Sequence, residues 1–145
     1  METVTFVDGF GRAVQVKKDG VVTSASKDNS AKDENVMIVS GRNVYDAFGR
    51  VAKAFYPTTE GTGSKSTFNK SFDNVSPTVT VYDVLDRVTS VTLPDNSTTT
   101  TAYTVDNGSH ALVTTVTDAL HNVQATHTNG SGKTLKTIQK SGPDG

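Results

Sequence analysis

Three stretches of this chain share one pattern: Asp8-Gly9-Phe10-Gly11-Arg12, Tyr45-Asp46-Ala47-Phe48-Gly49-Arg50 and Tyr82-Asp83-Val84-Leu85-Asp86-Arg87. Each has an Asp, any residue, a Phe or Leu, a variable position and an Arg. Asp118-Ala119-Leu120-His121-Asn122 follows the pattern more weakly, with Asn in place of Arg. The Asp positions lie 46 − 8 = 38, 83 − 46 = 37 and 118 − 83 = 35 residues apart. Self-similarity at a near-constant period marks a repeat architecture, and it constrains the fold more than any other feature of the chain.

The variable position holds Gly11, Gly49, Asp86 and His121. As chemistry these four have little in common. As backbone they do, because glycine enters positive φ freely and Asp and His are among the few other residues enriched there. The position therefore reads as the left-handed residue of a tight turn. The leading Asp fits the same reading, since its carboxylate can accept hydrogen bonds from the backbone N–H groups just ahead. Phe10, Phe48, Leu85 and Leu120 are then expected to plug each turn into an apolar core. A catalytic reading would need four equivalent reaction centres, so the motif is expected to be structural.

Composition narrows the fold class. The chain has 20 Val and 23 Thr against 5 Leu, an excess of β-branched residues that favours pleated, half-buried surfaces. Thr78-Val79-Thr80-Val81-Tyr82 alternates with period two, as a strand with one buried face does. Pro94-Asp95-Asn96, Asp106-Asn107-Gly108 and Asn129-Gly130 are turn signals, Asn-Gly being a hairpin signature. The first two copies keep this order more loosely, with Val14 and Val16 leading to Asp19-Gly20. Residues 26–35 and 58–66 read as loops, and residues 31–37 offer the one short helix candidate. The expected fold is all-β: an antiparallel β-hairpin repeat array, forming an open sheet or a partial spiral. Residues 1–145 are expected to be a single array of about four degenerate repeats, cut from a larger protein.

A formal net charge of −1 gives no general attraction to nucleic acid or anionic lipid. The absence of Cys excludes disulfides and thiol catalysis. No apolar run approaches the roughly 20 residues a membrane helix needs, and Met1-Glu2-Thr3-Val4 opens no signal peptide.

The motifs YDAFGR (residues 45–50), YDVLDR (82–87) and DGFGR (8–12) resemble the RHS or YD-repeat family. That family includes bacterial Rhs polymorphic toxins, the B and C components of insecticidal toxin complexes, and the teneurins. The resemblance implies a β-sheet strip spiralling into a hollow shell, able to enclose a toxic polypeptide or present an adhesive surface. It also implies a secreted or cell-surface location, with the remainder of the parent chain as partner. The chain departs from the family in three ways. Its repeats are longer than the usual unit, so each is expected to carry extra strands or loops. Val7 and Thr117 stand where the motif has Tyr. No Asp-Pro-x-Gly-Leu occurs, so the family's self-cleavage is not implied, and toxicity belongs in the family to a separate tip.

Other candidate sites are weaker. Gly61-Thr62-Gly63-Ser64-Lys65-Ser66 lacks the adjacent Gly-Lys of a phosphate loop. His110, His121 and His127 match no metal-ligand spacing, and Asp28, Asp33 and Glu34 lack the alternation of a calcium loop. Arg12, Arg50 and Arg87 could form a ladder for an acidic glycan. The expected arrangement instead pairs each guanidinium with a turn carboxylate or carbonyl of the neighbouring repeat. The sequence thus predicts a structural module with no cofactor and no catalytic site; the alternative is an adhesion or carbohydrate-binding module.

Overall fold

The computed structural model describes residues 2–25, 31–71 and 75–142. Asp28 and part of the 26–35 loop lie outside the described residues. The chain is all-β, built from antiparallel open sheets. Among the described residues the only helical element is a 3-10 turn at Thr62–Ser64. Among the described residues no helix is long and apolar enough to cross a membrane. The chain divides into two compact units, Met1–Pro77 and Thr78–Gly145.

Unit 1 holds β1 (Thr3–Val7), β2 (Ala13–Ala25), β3 (Ala31–Ser40), β4 (Asn43–Tyr45), β5 (Val51–Ala54) and β6 (Thr58–Gly61). Four of these form a sheet in the order β1-β2-β3-β6, and β4 and β5 form a hairpin. Residues 31–37 are neither loop nor helix but the start of β3. Ten registered pairs to β2, from Val16↔Ser40 to Ala25↔Ala31, override the polar local sequence. Likewise residues 58–61 are a strand, because they pair with β3 from Val36 to Val39. Asp19-Gly20 is no turn: it lies in mid-strand, where Gly20 opposes Val36. A Cβ on Gly20 would sit 2.5 Å from Ile38 Cδ1, so glycine here makes room for a neighbouring side chain.

The core of unit 1 lies on one face of this sheet. Met37 and Val39, two apart on β3, are fully buried and therefore share a face. Lys17 opposes Val39 and Glu60 opposes Met37. Gln15 follows the same alternation on β2, opposite Phe6 on β1.

Unit 2 is a six-strand meander: β7 (Thr78–Tyr82), β8 (Val88–Thr92), β9 (Thr98–Val105), β10 (Leu112–Thr117), β11 (Val123–Thr128) and β12 (Thr134–Lys140). Each strand pairs antiparallel with the next. In such a meander the turns alternate between two ends of the sheet. Asp83, Asp106 and Asn129 stand at one end; Leu93 and Asp118 stand at the other. The spacing of 35 between Asp83 and Asp118 is therefore not a spatial repeat, since the two turns lie at opposite ends. The repeat in space is one hairpin, and 106 − 83 and 129 − 106 are both 23.

Candidate functional site

The four motif turns share one backbone. In each, the N–H of the Asp donates to the carbonyl of the residue four ahead, and the N–H of the variable residue donates back to the Asp carbonyl. For Asp8 these bonds measure 2.9 and 3.0 Å, for Asp46 2.9 and 3.0 Å, for Asp83 2.9 and 3.2 Å, and for Asp118 3.0 and 3.0 Å. The variable residues are left-handed, with φ of 76° at Gly11, 84° at Gly49, 61° at Asp86 and 64° at His121. A three-residue hairpin loop ending in a left-handed residue is a type I turn with a bulge. The register steps accordingly beside Val7, Tyr45 and Tyr82, leaving Val14, Ala52 and Thr89 unopposed. The Asp118 hairpin keeps an unbroken register.

Two further turns, both marked as turns in the sequence, have the same geometry, which the sequence reading did not assign to them. One begins at Leu93, with Asn96 at φ 68°; the other begins at Asn129, with Gly132 at φ 80°. In the second, Gly132 rather than the glycine of Asn129-Gly130 takes the left-handed position. The Asp106 turn is one residue wider and bends at His110, φ 53°, rather than at Gly108. The signal that could have located the bend is a Gly or Asn three residues after the first residue of the turn, instead of the Asn-Gly pair.

Each Asp carboxylate organises its turn. Asp8 Oδ1 accepts from Phe10 N (2.8 Å) and Arg12 N (3.0 Å), while Oδ2 accepts from Arg12 Nε at 2.7 Å. Asp46 and Asp83 repeat this set with Phe48 and Arg50, and with Leu85 and Arg87. Asp118 does so with Leu120 and Asn122, the Asn122 Nδ2 replacing a guanidinium nitrogen at 2.8 Å. Each arginine thus pairs with the Asp of its own turn at 2.7 Å. For Arg12 and Arg87 the neighbouring hairpin also supplies an aromatic ring. Arg12 lies 4.2 Å from the centroid of Tyr45, whose hydroxyl donates to Ala13 O at 2.8 Å. Arg87 lies 4.1 Å from the centroid of Tyr103, whose hydroxyl donates to Val88 O at 3.1 Å. In both cases the hydroxyl reaches the residue directly after the arginine. Stacking and hydrogen bond together tie one hairpin to the next.

The apolar motif residues do not plug a core. Phe10, Phe48, Leu85 and Leu120 are 87%, 81%, 66% and 72% exposed. The physical reason is their place at the tip of a three-residue loop, where the side chain projects beyond the sheet. In unit 1 the arginines partly cover them, Arg12 at 5.1 Å from Phe10 and Arg50 at 4.9 Å from Phe48.

The charges of these turns couple folding to pH. Partial desolvation pushes the carboxyls of Asp8, Asp46 and Asp83 up, but hydrogen bonds from the arginine side chains and from backbone N–H groups outweigh it. The Asn122 side chain is the main influence lowering Asp118. All four are held below the ordinary carboxylate value. A group with a depressed folded pKa adds stability that is complete above its unfolded value and is lost as pH falls through the folded one. The midpoint of thermal unfolding is therefore expected to hold between about pH 7 and pH 5 and to fall below about pH 4. Circular dichroism melts along that series check it; a midpoint unchanged down to about pH 2 would contradict the turn electrostatics.

A second cluster, which sequence reasoning did not find, sits in the core of unit 1. Lys17 is fully buried. Its Nζ donates to Glu60 Oε2 at 2.5 Å and to Ser64 O at 2.9 Å. Ser64 Oγ donates to the same Glu60 oxygen at 2.6 Å. Buried Gln15 clamps the backbone of Asn69 from both sides, accepting from its N–H at 2.9 Å and donating to its carbonyl at 3.1 Å. Buried Arg42 donates to Ser71 O and Tyr56 O. Phe68 meets Phe6 edge-on, with centroids 5.5 Å apart. Lys17 thus holds the Gly-Ser segment of residues 61–66 at Ser64, while Gln15 and Arg42 hold the chain that follows it at Asn69 and Ser71.

The remaining candidates do not assemble. His127 Nδ1 lies 3.7 Å from Asp106 Oδ2, while His110 and His121 serve as left-handed turn residues. No group of three metal-ligating side chains occurs among the described residues.

Residues 1–104 match the family model described as a domain of unknown function (DUF6443). No curated protein matches the chain. Among solved structures, it is similar to a chain in the crystal structure of TcdB2-TccC3-Cdc42, with 17% identity and a TM-score of 0.47. That similarity covers 96% of this chain and 8% of the other. It is also similar to a chain in the Photorhabdus luminescens Tc holotoxin pore carrying a mutation in TccC3. There the identity is 16% and the TM-score 0.48, over 94% of this chain and 9% of the other. The chain spans less than a tenth of the length of either.

Proposed function

From the premise that this chain belongs to the family described as a domain of unknown function (DUF6443), we propose that it is a structural module. It is an RHS or YD-type array that builds part of the β-sheet shell or stalk of a larger secreted or surface protein. Its partner is the rest of the parent chain, including any toxin tip. It performs no catalysis and needs no cofactor.

The observation that carries this reading is the link between hairpins. Arg12 stacks on Tyr45 and Arg87 on Tyr103, each tyrosine returning a hydrogen bond to the strand it meets. Such a link adds hairpins side by side without a closed core. Unit 2 fits this logic: Ala111 and Val113 are the buried apolar residues described in it, and repeats of this kind gain stability from neighbours. The glycan reading has less support, because each motif arginine is committed to its own Asp and an acidic glycan would have to displace that carboxylate.

Sedimentation velocity at rising concentration tests the proposal. Exposed sheet edges are expected to give concentration-dependent association. Strictly monomeric behaviour at millimolar concentration, with heparin or glycan-array binding that is lost in Arg50→Ala and Arg87→Ala, would replace it with the adhesion reading. Turnover in a broad hydrolase screen would overturn both.

A further inference from the structure

Strands β2 and β3 run on past the sheet they belong to. They pair from Val16↔Ser40 to Ala25↔Ala31. On the β2 side, β1 pairs as far as Thr3, opposite Lys18, with one more bond from Asp19 N to Glu2 O at 3.2 Å. On the β3 side, β6 ends with Gly61 opposite Val36. The chain then leaves the edge for the 3-10 turn whose Ser64 carbonyl Lys17 binds. Beyond these points, residues 21–25 and 31–35 form a two-stranded ribbon with no third strand beside it among the described residues. Residues 31–35 are all exposed. A lone two-stranded ribbon is marginal in water, and its open side presents unpaired N–H and C=O groups to any strand that fits.

We infer that the β3 side of this ribbon pairs with the same segment of a second copy of the chain. A two-fold axis through Asp33, normal to the sheet, sets the two strands antiparallel over residues 31–35. Ala31 then faces Asn35 of the second copy, and Lys32 faces its Glu34. By symmetry the Lys32–Glu34 pair forms twice. Opposed residues on antiparallel strands have Cβ atoms about 4.5–5.5 Å apart, within reach of an ion pair. Moving the axis by one residue loses this match. Centred on Lys32, it sets lysine against lysine. Centred on Glu34, it sets glutamate against glutamate and calls on Val36, which already pairs with β6. The one unfavourable contact is Asp33 against Asp33. Each of these carboxylates accepts from Thr23 Oγ1 of its own ribbon at 2.6 Å, which draws it away from the axis.

The outer strands β1, β4, β6 and β12 offer no such match. β1 and β4 carry no charge, β6 carries Glu60 alone, and β12 carries only lysines, which blunt an edge. Five residues a side bury much less than the roughly 1,200 Å² of a stable complex, so the pairing is weak and is expected only at high concentration. Pairing at this edge does not depend on the shell reading, which expects only that open edges associate.

Charge reversal read by sedimentation velocity tests the pairing. Glu34→Lys sets lysines against each other, and Lys32→Glu sets glutamates against each other. Each variant alone is expected to self-associate about tenfold more weakly than the wild type, since two attractive pairs become two repulsive ones. An equimolar mixture of the two variants is expected to recover the wild-type association, because every lysine then faces a glutamate. Asp33→Asn is expected to tighten association several-fold by removing the like charges at the axis. Circular dichroism establishes that each variant is folded, and recovery on mixing separates pairing from loss of structure. Association unchanged in both charge reversals, or not recovered by the mixture, would overturn the inference and leave the shell reading standing. Weaker association of Asp33→Asn would overturn the register centred on Asp33. A wild-type chain that stays monomeric at millimolar concentration would overturn the pairing together with the expectation that open edges associate.

Discussion

Replacing Lys17 with Met is expected to lower the stability of unit 1 by about 3 kcal/mol, near the lower end of the cost of removing one partner of a buried ion pair. Met fills the volume of the lysine stem, so little of the loss comes from packing. It comes from Glu60, which is left without its ammonium on a face where Lys17 has no exposure at all and Glu60 has 19%. The carboxyl of Glu60 responds to the same neighbours. Partial desolvation pushes it up, and the hydrogen bonds from Lys17, Ser64 and Asn69 hold it below the ordinary value. The double variant Lys17→Met with Glu60→Leu is expected to recover most of the loss, because it removes the stranded charge as well. Urea denaturation of the single and double variants measures both effects. A double variant no more stable than the single one would mean that the lysine acts by tying down the Ser64 carbonyl rather than by pairing with Glu60.

The second large effect belongs to the turn. Asp86 holds φ 61°, a conformation that costs an L-residue about 1–2 kcal/mol. Asp86→Gly is expected to leave stability unchanged or raise it by up to ~1 kcal/mol. Asp86→Val is expected to lower it by about 2 kcal/mol or more, since a β-branched side chain at positive φ is an outlier. The damage should concentrate in the β7–β8 hairpin. Hydrogen exchange read at Val79, Val81 and Val91 should lose protection there before β10 and β11 do. Equal stability of the glycine and valine variants would show that the hairpin can be closed by another turn.

Much of the repeat device was legible in the sequence because it is local. An Asp, a left-handed residue three positions on and an Arg four positions on make nearly all their hydrogen bonds within five residues, so the pattern of residue types carries the geometry. The same locality explains the errors. A turn at Asp118 looks like a turn at Asp83 whichever end of the sheet it occupies, so motif spacing gave a period of about 35–38 residues where unit 2 repeats by hairpins of 23. Asn129-Gly130 looked like a two-residue turn, but the register of β11 against β12 moves the bend to Gly132. Phe10 and Phe48 looked like core residues because they are apolar; only their position at a loop tip decides that they face solvent.

The core cluster was hidden for the opposite reason. Lys17, Glu60 and Asn69 are 43 and 52 residues from first to second and first to third (60 − 17 and 69 − 17), and none belongs to a recognisable motif. Residues 31–35 were read as loop or as the start of a short helix, since Lys32, Asp33 and Glu34 give no strand signal. Their pairing with β2 is a property of the partner strand. What the sequence determined by itself was the all-β class and the chemistry of its bends, because both follow from side chains acting on their own backbone. Which face of β2 is buried, which segment covers it and which polar groups meet there were decided by tertiary structure, since burial and contact over such separations depend on how whole strands register against one another.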